Sequence, residues 1–156
     1  MAAINSDPEV MRMLNRAVDA KALAGFIDRA RGHWDEHGFG WFAVEGREGD
    51  LGGEMIGFVG VAYPTFLPEV AERPELGWRL APRAWGRGLA TEAARAAAGD
   101  AFGRLGLAEL ISIIHPRNAR SQRVATKLGM AVERQVDNPV RGERVDVWAL
   151  AAGTRA

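Results

Sequence analysis

Arg83-Ala84-Trp85-Gly86-Arg87-Gly88-Leu89-Ala90-Thr91-Glu92 places a glycine-rich turn directly between a predicted strand and a predicted helix. Glycines at 86 and 88 let the backbone turn without the steric penalty of a Cβ. The first amides of a helix have no intrahelical partner, so several N–H donors converge on one point, and the helix dipole adds partial positive charge there. The stretch reads as an anion cradle suited to a phosphate group.

Working outward, Leu76–Leu80 reads as the strand before the turn, and Thr91–Arg104, rich in alanine, as the helix after it. Leu110–Ile114 is the next strand, and the order strand, helix, strand implies a parallel pair joined by a crossover. Asn118 can cap a helix running to Leu128, and Gly129 stands where a helix C-terminus wants positive φ. Ala131–Val136 and Arg144–Leu150 follow as strands, with Asn138-Pro139 and Gly142 between them. On the N-terminal side, Trp41–Val44 and Met55–Val61 form a hairpin around the turn-rich segment Gly46–Gly53. Apolar spacing from Asp7 to Glu36 predicts two helices. Tyr63–Pro74, with three prolines, predicts an exposed connection. Without a repeat or linker, residues 1–156 read as one mixed α/β (α+β) domain.

Composition narrows the function classes. The chain has 156 residues, 47% of them hydrophobic, which is enough for one continuous core. Lys and Arg balance Asp and Glu at 20 each, so no global field attracts nucleic acid or an anionic membrane. The absence of cysteine excludes a disulfide framework, a thiolate zinc site and a cysteine nucleophile. No run approaches the roughly 18 apolar residues of a membrane span, and no secretory pattern is read at the start. The expectation is a cytoplasmic protein with neither nucleic-acid nor membrane partners.

Arg83-x-x-Gly86-x-Gly88 resembles the acyl-CoA pyrophosphate motif of the GNAT N-acetyltransferases. Glu75-Leu76-Gly77-Trp78-Arg79-Leu80 ahead of it, and Asn118-Ala119-Arg120-Ser121 with Lys127-Leu128-Gly129-Met130 after it, resemble the branch that acetylates ribosomal-protein N-termini. Asp7–Met11 and His33–Trp41 extend the resemblance over nearly the whole chain. It implies the GNAT fold: a central mixed sheet splayed between two parallel strands and flanked by helices. Two positions depart from the pattern. The family's first strand is apparently absent, and the tyrosine many members carry near the coenzyme sulfur is Ala125 here.

By this resemblance, the backbone of Trp78, Arg79 and Leu80 pairs with the pantetheine arm of acetyl-CoA, the cosubstrate. Trp85, Gly86, Arg87, Gly88, Leu89, Ala90 and Thr91 offer amides to its pyrophosphate, with charge from Arg83 or Arg87. Asn118 holds the pantetheine amide or serves only as a cap. Acetyl transfer to a primary amine, whether a protein N-terminus or a small molecule, needs a neutral amine, a polarised carbonyl, alignment and a proton for the departing thiolate. Glu75 is the candidate base, or else a surface carboxylate at a strand edge. A backbone N–H near Trp78 or Arg79 is the oxyanion donor. Ser121 is the candidate proton donor, or else an ordinary first-turn residue. His115 reads as a strand-end residue before Pro116, and His33 with His37 as a solvated helix end, so no metal is expected. The open sheet edge leaves a homodimer as an option. A catalytically inactive acyl-CoA-binding regulatory module is the alternative reading.

Overall fold

The computed structural model describes residues 4, 7–10, 20–47 and 49–153. Most of the first expected helix, including part of the Asp7–Met11 resemblance, lies outside the described residues, although residues 8–10 are helical. The second is α1 (Ala20–His37), which ends at Gly38 in the left-handed region with φ 71°. Then follow β1 (Trp41–Glu45), β2 (Met55–Ala62), β3 (Glu75–Leu80), α2 (Leu89–Gly103), β4 (Glu109–Ile114), α3 (Ala119–Lys127), β5 (Ala131–Asn138) and β6 (Glu143–Ala151). The strands form a mixed six-stranded sheet in the order β1-β2-β3-β4-β6-β5, flanked by helices.

The chain divides into two compact units, Met1–Gly60 with Trp78–Ala90, and Val61–Gly77 with Thr91–Ala156. In the first unit β1 and β2 form an antiparallel hairpin, from Trp41 opposite Gly60 to Val44 opposite Gly57, with a register slip at Glu45. Gly57 is forced by close approach, because a Cβ there would run into the carbonyl oxygen of Arg79 on β3. Leu51, Ile56, Leu80 and Ala84 make the unit's buried cluster, with Trp85, Leu89 and Ala90 packed on it. The Phe58 ring lies 5.3 Å from Phe26 and 5.5 Å from Trp41, and the Arg79 guanidinium stands 5.2 Å from its centroid.

In the second unit β4 and β6 pair antiparallel from Glu109 opposite Ala151 to Ile114 opposite Asp146. β5 joins β6 with a bulge between Val132 and Arg134. The bulge frees Glu133 from strict alternation, and Arg73 bridges it to Glu109 through four hydrogen bonds of 2.8–3.1 Å. Those bonds hold the Glu109 and Glu133 carboxyls below the usual range.

The exposed connection expected at Tyr63–Pro74 is corrected here. Leu67 and Val70 are fully buried with Ile111, Val136, Val145 and Val147. A turn at Pro68–Val70 makes this burial affordable. Leu67, Val70 and Arg73 give their backbone N–H groups to Pro64, Leu67 and Val70 carbonyls, so the segment carries its own hydrogen bonds into the core. Along α2, Thr91, Ala94, Ala97, Ala98 and Ala101 form one buried stripe at helical spacing.

Candidate active site

The glycine turn lies wholly in the first unit. β3 ends when the Ala81 N–H donates to the Ile56 carbonyl at 2.8 Å, and a tight turn over Pro82–Ala84 follows. Gly86 at φ 75° and Gly88 at φ 81° then take left-handed conformations, after which α2 begins at Leu89. Both conformations are strained for any residue with a side chain. A Cβ at either glycine would meet nothing within 4 Å, so it is the positive φ and not crowding that calls for glycine at both positions. The amides of Leu89 and Ala90, in the same unit, precede the first i→i−4 bond of α2 and have no partner within the helix.

Two expected contributions are already spent inside the protein. The Trp85 backbone N–H donates to Pro82 O at 3.0 Å, so the cradle's donors start at Gly86. The Trp85 indole folds back and donates from Nε1 to Leu80 O at 2.8 Å, which takes one of that carbonyl's two acceptor positions. The cradle arginines are also engaged, by acids of the β1–β2 loop that sequence reasoning did not single out. Arg87 forms a fork on Asp50 at 2.8 and 3.2 Å, and Arg83 pairs with Glu54. The Arg87 bonds lower the Asp50 carboxyl from its ordinary value. Each guanidinium thus faces one carboxylate.

In the second unit the parallel pairing of β3 with β4 runs, among the described residues, through one residue pair, Glu75 opposite Ile111. Two side chains take over where it stops. The Ser112 hydroxyl, buried, donates to Leu76 O at 2.6 Å. The Ile113 backbone N–H, on the β3-facing side of β4, donates to the Glu75 carboxylate. Glu75 keeps partial solvent access as a residue, but its carboxyl is deep enough that burial pushes it up to about 7, against the Ile113 bond and the positive charge of Arg141. The candidate base is therefore no plain surface carboxylate. Burial raises its affinity for a proton above that of an ordinary carboxylate.

At the end of β4, His115 Nδ1 accepts from the Arg117 backbone N–H at 3.0 Å, which puts the neutral ring's proton on Nε2. That atom faces Glu143 Oε2 at 3.4 Å, and Arg141 Nη1 stands 3.6 Å from Glu143 Oε1. Asn118 caps α3, its Oδ1 accepting from the Ser121 N–H at 3.1 Å, which leaves its side-chain NH₂ as a donor. The Ser121 side chain is half-buried on the first turn, and its hydroxyl is held by no protein group among the described residues. His33 donates from Nδ1 to Phe39 O at 2.7 Å, and no metal-ligating cluster occurs among the described residues. No described helix is long and apolar enough to cross a membrane.

A mixed sheet whose central parallel pair parts after one step, with a glycine cradle leading into a helix, defines an acyltransferase-type α/β fold. The family model described as acetyltransferase (GNAT) domain matches residues 1–131, and the chain belongs to that family. It is 30% identical over 140 residues to the uncharacterized protein YkkB of Bacillus subtilis (strain 168), covering 84% of this chain and 73% of that one. An acetyltransferase from Agrobacterium tumefaciens str. C58 superposes with a TM-score of 0.77 at 26% identity, covering 94% of this chain and 80% of the other. The fold is also that of yncA from Salmonella typhimurium, solved with its cofactor acetyl-CoA, at a TM-score of 0.66 and 18% identity over 91% of this chain and 79% of that one.

Proposed function

We propose that this acetyltransferase moves an acetyl group from acetyl-CoA directly to a primary amine, with Glu75 as the base. The observation that carries the reading is the place of Glu75 at the one paired step of β3 with β4, its carboxyl deep enough that burial pushes it up to about 7 against the Ile113 N–H. A carboxylate of that proton affinity takes a proton from an ammonium, directly or through water, and leaves a neutral nucleophile. The amine nitrogen then bonds to the acetyl carbon as the carbon–sulfur bond breaks. Ser121 hands its hydroxyl proton to the departing thiolate and is reprotonated, through water, by the second proton that the nitrogen loses as it becomes an amide; Glu75 returns its own proton to solvent.

The open cradle of Gly86 and Gly88 fits a pyrophosphate, with donors from Gly86 to Thr91 and charge from Arg83 or Arg87 once they leave Glu54 or Asp50. By the family resemblance, Trp78 and Arg79 pair with the pantetheine arm and Asn118 donates to its amide. The resemblance of Glu75–Leu80 and Asn118–Met130 to the ribosomal-protein branch favours a peptide N-terminus over a small amine as acceptor. The test is release of free CoA thiol from acetyl-CoA with a panel of N-terminal peptides and small amines. Turnover with peptides and its loss in Glu75→Gln support the reading. Saturable coenzyme binding with no turnover on any amine defeats it and favours a regulatory acyl-CoA-binding module.

A further inference from the structure

The connection Tyr63–Pro74 joins β2 to β3 as a strap, and Glu75 is the first residue after it. Its apolar pegs, Leu67 and Val70, are buried with Ile111, Val136, Val145 and Val147, and Ile113 packs against them. Strand residues alternate between faces, so Glu109, Ile111 and Ile113 share one face of β4, and Glu75, paired with Ile111, lies on that face. The strap therefore packs on the face that carries Glu75. Two arginines tie it to the sheet. Arg134 on β5 donates from Nη2 to Glu69 O at 3.3 Å. Arg73 forks Glu109 on β4 from Nε and Nη2 at 2.8 and 2.9 Å, and Glu133 on β5 from Nη1 and Nη2 at 3.1 and 2.8 Å. Its own backbone N–H donates to Val70 O at 2.9 Å and closes the strap's last turn.

Only Pro74 separates this clamp from Glu75. The proline ring fixes φ, and its carbonyl accepts the Ile111 N–H at 2.9 Å. On the other side of Glu75 the Leu76 carbonyl takes the Ser112 hydroxyl at 2.6 Å. Both neighbours of Glu75 are thus bonded to β4, but β3 and β4 pair at one step among the described residues, so the ladder alone fixes little. We propose that Arg73 is a positioning residue for Glu75: its fork on two carboxylates holds the strap on β4 and β5, and with it the entry of β3 and the Glu75 side chain. That role rests on the reading of Glu75 as the base. An isolated surface ion pair contributes little, whereas a planar guanidinium bonded to carboxylates of two strands specifies a geometry that a point charge does not. Charges around the fork balance, Arg73 and Arg134 against Glu109 and Glu133, with Arg134 Nε 3.8 Å from Glu133 Oε1. Arg73 therefore acts through the backbone it holds and not through a net field.

The experiment compares the wild type with Arg73→Gln, Arg73→Lys and, as a control, Arg104→Gln, which removes a fork of the same kind on Asp100 of α2. The Glu75 carboxyl is followed by NMR titration of protein labelled with ¹³C at glutamate side-chain carboxyls, its resonance identified by its absence in Glu75→Gln. Release of the clamp admits water at Glu75, so its midpoint in Arg73→Gln should fall toward the ordinary carboxylate range by about half a pH unit or more. Thiol release is measured at pH 8.5, where Glu75 is ionised and a loss reports its placement. There kcat should fall about tenfold with the KM for acetyl-CoA unchanged, since the glycine turn lies in the other unit. Arg73→Lys, which keeps the charge and loses the fork, should resemble Arg73→Gln. Full restoration by lysine, an unmoved midpoint in Arg73→Gln, or equal effects in Arg104→Gln overturn the inference. A lowered midpoint with unchanged kcat upholds the positioning and removes Glu75 from its role as base. Should thermal melting show Arg73→Gln unfolded, Glu133→Gln, which weakens one arm of the fork, is read instead; a lowered midpoint supports the inference and an unmoved one overturns it.

Discussion

Replacing Glu75 by glutamine should stabilise the protein, and only above a defined pH. In the unfolded chain this carboxyl titrates near 4.5, whereas burial holds it at about 7 in the folded protein. At 1.36 kcal/mol per pH unit, ionising it in the fold costs about 3 kcal/mol more than ionising it in the unfolded chain. Because the folded value is the higher one, stability is fully present below 4.5, declines as pH rises, and has lost the whole amount above 7. Glutamine mimics the protonated acid, still accepts the Ile113 N–H and never pays this charge. Urea unfolding of the two proteins should therefore give equal stabilities at pH 4 and a gap of about 3 kcal/mol in favour of Glu75→Gln at pH 8.5. The other acids titrate in both proteins and cancel in the difference. A gap independent of pH, or a variant less stable at pH 8.5, would refute the placement of Glu75 in a buried site. A gain in stability on removing a base is also what a strained functional group produces.

Two further outcomes follow from the same geometry. Ser112→Ala leaves the buried Leu76 carbonyl without its 2.6 Å donor and should cost about 1–3 kcal/mol in urea unfolding; a change within error would mean that water or a neighbour replaces the hydroxyl. Asp50→Asn frees Arg87 from its exposed fork and should tighten acetyl-CoA binding by up to about fivefold by fluorescence titration, while weaker binding would mean that Asp50 holds Arg87 in its working pose.

The elements were legible because their signals are local. Alanine content placed α2, Asn118 and Gly129 bracketed α3, and short strand-like runs placed β4 and β6, all within two or three residues. Gly86 and Gly88 were readable for the same reason, since positive φ is demanded by the turn itself. What escaped the sequence depends on register. Glu143 reaches His115, and Arg141 reaches Glu143, through the pairing of β6 with β4 and the turn pinned by Asn138, and neither is spelled in a motif. Asp50 and Glu54 meet the cradle arginines only after the β1–β2 loop has folded. Leu67 and Val70 sat in a proline-rich stretch that read as surface, and tertiary burial overrode that reading. Glu75 was singled out from the strand ahead of the glycine turn, but the upward push on its carboxyl follows from depth, which spacing along the chain does not encode.

The central claim is that the turn at Gly86 and Gly88 receives the pyrophosphate of acetyl-CoA. Valine at 86 is β-branched, must hold a φ of 75° and projects into the open space of the turn. Calorimetric titration of acetyl-CoA into the wild-type protein and into Gly86→Val, with thermal melting to establish that both are folded, is the most direct measurement. Saturable one-to-one binding by the wild type, weakened at least about tenfold in the variant, is the predicted result. Equal affinity of two folded proteins for acetyl-CoA would contradict it.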